Sequence, residues 1–401
     1  MTMPAWTSST PIGVVGAGAM GAGIAQVAAA HGHPVHLADA HAPAIERARA
    51  GHAKAMAREV EKGRLDQAAA DAVLARITYH VGADAAALAP FASCGLVVEA
   101  IVEALAPKQA LVRALDAVLA SDAVIATNTS SLSVAAIAGA SVHPARVIGL
   151  HFFNPAPVMP LVEVIPAIVT DPAVTAAARA LAAGWGKVVV VAKDTPGFIV
   201  NRVARPFYSE ALRILEEGIA DAATIDWAMR ERGGFKMGPF ELMDFIGNDV
   251  NFAVTCSVFA ATFQDPRYRP AVTQQRLVEA GWLGRKSGRG HHDYRDAAAA
   301  PAPAPTIDLV LGDTICHRIL AMLVNEAVDA VHFGIASPAD VELSMTKGVN
   351  YPRGLLAWGD TLGPATILAI LEGLQAEYGE DRYRPSARLR RVVREGGRLL
   401  T

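Results

Sequence analysis

The chain has few of the features that staple, target or anchor a protein. Its 401 residues include three cysteines. Cys94, Cys256 and Cys316 are widely spaced and form no CxxC pair, so neither a disulfide framework nor a zinc knot is expected, and a reduced, cytoplasmic setting is. No apolar run approaches the ~20 residues that cross a bilayer. No block of Lys or Arg stands out, and 36 basic against 39 acidic residues leave a net charge of -3. Neither nucleic acid nor an anionic membrane is therefore expected as a main partner. Met1 to Pro11 has no basic start, apolar core or arginines, so no export or import signal is expected there. What is present is a 52% apolar composition, enough for a large core, in a chain long enough for two or three domains.

The first organised stretch is Ile12-Gly-Val-Val-Gly16-Ala-Gly18-Ala-Met-Gly21, a short apolar strand running into GxGxxG and then an alanine-rich helix. In that setting Gly16 allows a tight turn, Gly18 lets backbone approach a pyrophosphate, and Gly21 lets the helix pack on the strand. A second strand, Val35 to Asp39, ends 18 positions beyond Gly21, where an acid meets the ribose hydroxyls of NAD. No Lys or Arg follows Asp39 until Arg47, so a 2'-phosphate is disfavoured on charge and NAD is preferred to NADP. A structural glycine turn in another α/β protein is the alternative. Further buried strands are read at Gly95 to Glu103, Ala123 to Thr127, Val147 to Leu150, Leu161 to Ile165 and Lys187 to Ala192, with a helical pair between Ala42 and Leu74. Lys108 opens the helix after the third strand. Asn128-Thr-Ser130-Ser131 is a hydroxyl-rich turn at a strand end, where ligands bind in open α/β sheets; Ser130 fits a helix N-cap equally well.

His151-Phe-Phe-Asn154-Pro-Ala-Pro-Val-Met-Pro-Leu-Val-Glu163 reads as a strand end, a Pro-locked loop and a second strand. Glu163 is flanked by valines, so it is expected to be buried, and a buried carboxylate needs a partner. An imidazole with a carboxylate on its far nitrogen is suited to moving a proton near neutral pH. The pair is thus a candidate general base, against the plainer reading of a satisfied core histidine beside an unrelated acid.

From Asp194-Thr-Pro-Gly-Phe onward the pattern is helical, beginning with a continuous amphipathic helix from Ile199 to about Glu217 that carries Asn201 and Arg202. Gly284-Arg-Lys286-Ser-Gly-Arg-Gly290-His291-His292 is a basic, glycine-rich loop, and an Ala/Pro tether follows. The helical pattern then repeats: a shift of 116 positions brings Arg202 onto Arg318, Glu210 onto Glu326, Gly238 onto Gly354 and Asp244 onto Asp360. Asn201 falls on His317, so the second copy keeps packing positions and loses a polar one. The expected architecture is an α/β Rossmann-type NAD-binding domain (1–193) and two tandem all-α modules (194–296 and 307–401) joined by a linker (297–306).

Taken together, these motifs, with Asp194-Thr-Pro-Gly-Phe-Ile-Val-Asn201-Arg and Met237-Gly-Pro-Phe-Glu-Leu, resemble the L-3-hydroxyacyl-CoA dehydrogenase family over nearly the whole chain, and the tandem module resembles its longer bacterial 3-hydroxybutyryl-CoA and 3-hydroxyadipyl-CoA members. The resemblance implies NAD-dependent, reversible oxidation of the 3-hydroxyl of an acyl-CoA. It implies His151 as base, Glu163 as its carboxylate, and Ser130 and Asn201 as hydrogen-bonding partners of the substrate. It places Asp39, Glu103, Lys108, Ser130, Asn154 and Lys286 at the cofactor, and Lys62, with Ser130, on the CoA side. Two positions depart from the family: Ala55 stands where mitochondrial members place a serine, and His291-His292 where aromatic residues are usual. The second module is expected to pack on the first as a partner subunit would, in a monomer or homodimer. An L-gulonate-type sugar-acid dehydrogenase and a catalytically idle NAD-binding protein are the alternatives.

Overall fold

A computed structural model describes residues 6–295 and 304–401. Of the expected tether, 297–303 lie outside the described residues. The chain divides into two compact units, Met1–Phe198 and Ile199–Thr401. The division falls beyond the expected 193/194 for a local reason. Asp194 accepts hydrogen bonds from Val134 N (3.0 Å) and Ala135 N (2.7 Å), which ties the segment after the last strand to the first unit.

The first unit is built on an eight-stranded sheet: β1 (Ile12–Val15), β2 (Val35–Asp39), β3 (Ile77–Val81), β4 (Leu96–Glu99), β5 (Val124–Thr127), β6 (Val147–Phe152), β7 (Leu161–Pro166) and β8 (Val188–Val191), in the order β3-β2-β1-β4-β5-β6-β7-β8. All neighbours are parallel except β6 and β7. Strands β1, β4 and β5 are buried throughout, which is why they read as unbroken apolar runs: a parallel sheet is covered on both faces. The order reverses between β1 and β4, so a crevice opens at their carboxyl ends.

Three elements differ from the sequence reading. β3 is an edge strand that was not expected; Ile-Thr-Tyr-His-Val has no continuous apolar run because one edge is open. β4 stops at Glu99 rather than running to Glu103, which lies in the following loop. The expected helix from Ile199 to Glu217 is broken into Val200–Val203 and Arg205–Glu216. Pro206 lacks an N–H and cannot continue the hydrogen-bond ladder, so it opens a new helix instead.

The second unit is all helical, and its repeat extends to individual hydrogen bonds. Asp226 accepts from Phe240 N and Glu241 N at the start of the Pro239–Ile246 helix. Its counterpart Glu342 accepts from Leu356 N and Ala357 N at the start of Leu355–Leu362. Asp244 holds His291 N and His292 N, as Asp360 holds Leu399 N and Leu400 N.

The Val200–Val203 and Arg205–Glu216 helices pack on Leu309–His332 with crossed ion pairs. Arg202 Nε lies 2.7 Å from Glu326, and Arg318 Nε lies 2.7 Å from Glu210. Tyr268 Oη donates to Glu326 and Tyr383 Oη to Glu210. Residue i meets j, and the equivalent of j meets the equivalent of i, the arrangement of a two-fold subunit interface written into one chain. Among the described residues no single helix is long and apolar enough to cross a membrane.

Candidate active site

Each crevice side chain of the first unit is placed by a strand end. After β1 the chain turns at Gly16 (φ +104°), where a Cβ would meet Ala100 O at 2.5 Å; a Cβ on Gly21 would lie 1.7 Å from Gly16 O. Gly18 faces open space instead, with nothing within 4 Å of a Cβ. It precedes the Ala19–Ala30 helix, whose start carries no side-chain cap, so the N-terminal amides are available to an anion. Asp39, at the end of β2, accepts from Ala17 N (2.7 Å) and His41 N (2.8 Å) and fixes the glycine turn against its own loop. This cradle fits a dinucleotide pyrophosphate with an acid beside the ribose.

β6 and β7 pair antiparallel with His151 directly opposite Glu163. Opposed residues share a face of the sheet, so the twelve-residue connection delivers both side chains to one point. His151 Nδ1 lies 2.6 Å from Glu163 Oε2. Glu163 is fully buried and His151 is 6% exposed, with the rings of Phe153 and Phe198 beside the imidazole. A carboxylate on Nδ1 leaves Nε2 as the nitrogen that can exchange a proton with a ligand. Asn128 Oδ1 accepts from Phe152 N (2.9 Å) and joins the end of β6 to the loop after β5. Exposed Asn154 follows, and Lys187 Nζ braces its loop by donating to Ala156 O and Met159 O.

Ser130 is held by Glu103, which accepts from Ser130 N (2.8 Å), Ser130 Oγ (3.3 Å) and Thr129 Oγ1 (2.6 Å). The N-cap role considered for Ser130 belongs to Ser133. Lys108 is 1% exposed, with Nζ 2.8 Å from Glu99 and 3.3 Å from Glu103. Burial would push the Glu103 carboxyl up, but the Lys108 ammonium and the Thr129 and Ser130 donors outweigh it and hold it below its ordinary range. Lys108 thus acts on the carboxylate that holds Ser130, from behind the crevice wall. The sequence reading passed over Glu99, fully buried and bonded to Thr127 Oγ1 and Lys108. An acid closing an apolar strand was its only signal.

Lys62 lies just past the Ala42–Glu61 helix and lines a cavity of about 780 Å³ with Arg58, Arg64, His31, Met56 and Lys187. A neighbouring cavity of about 380 Å³ is lined by Gly18, Gln26, His52, Asn154 and Pro157. In the second unit Asn201 sits in the short Val200–Val203 helix, and Lys286 Nζ is 2.6 Å from Asp249. His291 and His292 form part of that fold. His291 packs on Phe240, and His292 Nε2 lies 2.7 Å from Asp226 Oδ2. Among the described residues no group of His, Cys, Asp and Glu has the makings of a metal site.

A glycine turn at the switch point and a buried imidazole–carboxylate pair at the same carboxyl edge define a dinucleotide-binding α/β protein with a paired histidine and glutamate at its crevice. The chain belongs to the 3-hydroxyacyl-CoA dehydrogenase family. The family's NAD binding domain matches residues 11–195, and its C-terminal domain matches residues 197–294 and 315–399. The chain is 41% identical to the 3-hydroxyadipyl-CoA dehydrogenase of Escherichia coli over 96% of its own length and 98% of the relative's. It is 42% identical to a Bradyrhizobium diazoefficiens 3-hydroxybutyryl-CoA dehydrogenase, but over 72% of this chain and 97% of that one. The crystal structure of an Escherichia coli 3-hydroxybutyryl-CoA dehydrogenase superposes with a TM-score of 0.90 at 38% identity, covering 97% and 99% of the two chains.

Proposed function

We propose that this chain oxidises the 3-hydroxyl of an L-3-hydroxyacyl-CoA reversibly with NAD, and that His151 and Glu163 are its acid–base pair. The observation that carries the reading is the 2.6 Å contact between these two buried side chains at the carboxyl edge of the sheet. When bound, NAD supplies the redox step by taking the hydride from C3. The turn at Gly16, Gly18 and Gly21 would hold its pyrophosphate and Asp39 its ribose, while Asn154, Lys286 and Glu103, the last backed by buried Lys108, would complete the cofactor side.

His151 Nε2 takes the 3-hydroxyl proton as C3 is oxidised, and Glu163 stabilises the imidazolium that forms. In the reverse direction the same cation returns the proton to the developing alkoxide. Ser130 and Asn201 orient the substrate, and Lys62 meets the CoA phosphates; the neighbouring Arg58 and Arg64 give the cavity beside it the charge a polyanion needs. On this reading the protein acts in the cytoplasm, as its three unpaired cysteines favour.

The test is NADH oxidation with acetoacetyl-CoA. His151→Gln should retain NAD binding and lose at least about three orders of magnitude in turnover; a nearly normal rate removes His151 from the mechanism. A wild-type protein inactive with acetoacetyl-CoA points to the sugar-acid or non-catalytic alternatives.

A further inference from the structure

Arginines buried in the helical unit come with carboxylates, with one exception. Arg202, Arg267, Arg318 and Arg382 face Glu326, Asp329 or Glu210. Arg205 is as deeply buried, at 4% exposure, yet it meets only neutral acceptors. Nε donates to Asn201 O (3.0 Å), and Nη1 to Thr255 Oγ1 (2.9 Å) and more weakly to Asn251 O (3.5 Å). Among the described residues no carboxylate pairs with it, and its Nη2 hydrogens have no acceptor. Burial drives its pKa down, with only Tyr208 and Tyr351 opposing, whereas Arg202, beset by the same burial, is carried upward by Glu326.

Those two tyrosines close the cluster. The Arg205 guanidinium lies over the Tyr208 ring, 5.1 Å from its centroid. Tyr351 enters from the second module, packed edge-on to Phe235. Its Oη is buried without a hydrogen-bond partner, and Tyr208 Oη also has none among the described residues. The Arg205 Nη2 group and two phenol hydroxyls, which can donate as well as accept, thus lie near one another with no carboxylate between them among the described residues. A buried charge without a counter-charge is costly, and with Nε and Nη1 already engaged the open Nη2 and the two hydroxyls can each donate to the oxygens of one carboxylate.

We infer that Arg205, Tyr208 and Tyr351 receive the distal carboxylate of a dicarboxylic 3-hydroxyacyl-CoA. This rests on the dehydrogenase reading above, which puts Asn201 at the reacting end of the acyl chain. Arg205 is bonded to the Asn201 carbonyl one helical turn away, and in a six-carbon chain the terminal carboxylate lies three C–C bonds past C3, roughly 4–5 Å. The second module then contributes a substrate-selecting side chain as well as packing. The plainer alternative is that Arg205 only ties off the carbonyls at the helix break before Pro206 and that the open donors hold water.

Two esters of equal carbon number separate these readings: 3-hydroxyadipyl-CoA, ending in a carboxylate, and 3-hydroxyhexanoyl-CoA, ending in a methyl. The wild-type protein should favour the first by tenfold or more in kcat/KM. In Arg205→Met that ratio should fall about 100-fold, in Arg205→Lys about tenfold, and in Tyr351→Phe roughly threefold to tenfold. Tyr351→Phe removes one oxygen atom and decides the question if Arg205→Met does not fold. A wild type without preference, or variants that slow both esters equally, overturns the carboxylate site while leaving the dehydrogenase reading in place. A wild type that uses neither ester overturns the dehydrogenase reading itself, and this one with it.

Discussion

Glu163→Gln isolates the charge of the proposed acid–base pair, because the amide keeps the volume and hydrogen-bonding oxygen of the acid it replaces. Glu163 is fully buried on β7 and holds His151 Nδ1 at 2.6 Å. While the imidazole awaits the substrate's proton, the amide oxygen can keep its hydrogen bond to Nδ1, so little is lost at that stage. Along the reaction the imidazole becomes a cation, and the carboxylate's attraction for it is the term that disappears. With the charge centres about 4 Å apart and an effective dielectric near 20, that attraction is about 4 kcal/mol, which corresponds to a thousandfold in rate at ~1.4 kcal/mol per decade. Turnover with acetoacetyl-CoA, followed by NADH absorbance, should fall by about that factor. NADH affinity, measured by fluorescence titration, should stay within about twofold, and the thermal midpoint should show that the variant is folded. A folded variant that loses less than about tenfold in turnover would refute the electrostatic reasoning and leave Glu163 as a packing residue.

Two further outcomes follow from the helical repeat and the buried histidines. Deleting Ile307 to Thr401 strips Glu210 of Arg318, Arg382 and Tyr383 and uncovers the apolar face of the Arg205–Glu216 helix. An unanswered buried carboxylate costs about 3–5 kcal/mol, so the remainder should dimerise through that face, Glu210 taking the partner copy's Arg202, or precipitate; a soluble monomer by light scattering contradicts this.

Acid should destabilise the fold through histidines that burial keeps neutral: His33, His36, His52 and His80, and most of all His291, pushed down to about 4. Their folded pKa values lie below the unfolded value of ~6.5, so the stability they contribute is full above that pH and is lost on the way down towards each folded pKa. His292 has the opposite sign, its pKa raised by Asp226, so its share is lost as pH rises. A His291→Phe variant should flatten the fall in thermal midpoint between about pH 6.5 and 4; an unchanged profile excludes His291 as its main source.

The legible parts of this fold were those with short-range causes. Glycine spacing, a strand ending in Asp39, and an imidazole and an acid twelve residues apart all follow from local chain geometry, because a hairpin-like return sets residues at fixed separation face to face. The 116-residue repeat was legible too, since duplicated packing leaves duplicated side chains. β3 was hidden because an edge strand has no uninterrupted apolar signature. The Ala204 break was hidden because the amphipathic pattern runs straight through Pro206. The Arg205 cluster had no local trace at all: Tyr351 lies nearly 150 positions from Arg205, and a missing counter-charge is visible only once every neighbour has been placed.

The crossed ion pairs Arg202–Glu326 and Arg318–Glu210 carry an evolutionary consequence. In a true homodimer every substitution is made twice, so the two faces of the interface can never become different from one another. Here each half is encoded separately. Asn201 can stay as it is while its counterpart has become His317, and Tyr351 can acquire a duty that Phe235, its counterpart in the first half, does not share. Fusing the two halves frees one of them to specialise while the other keeps the chemistry.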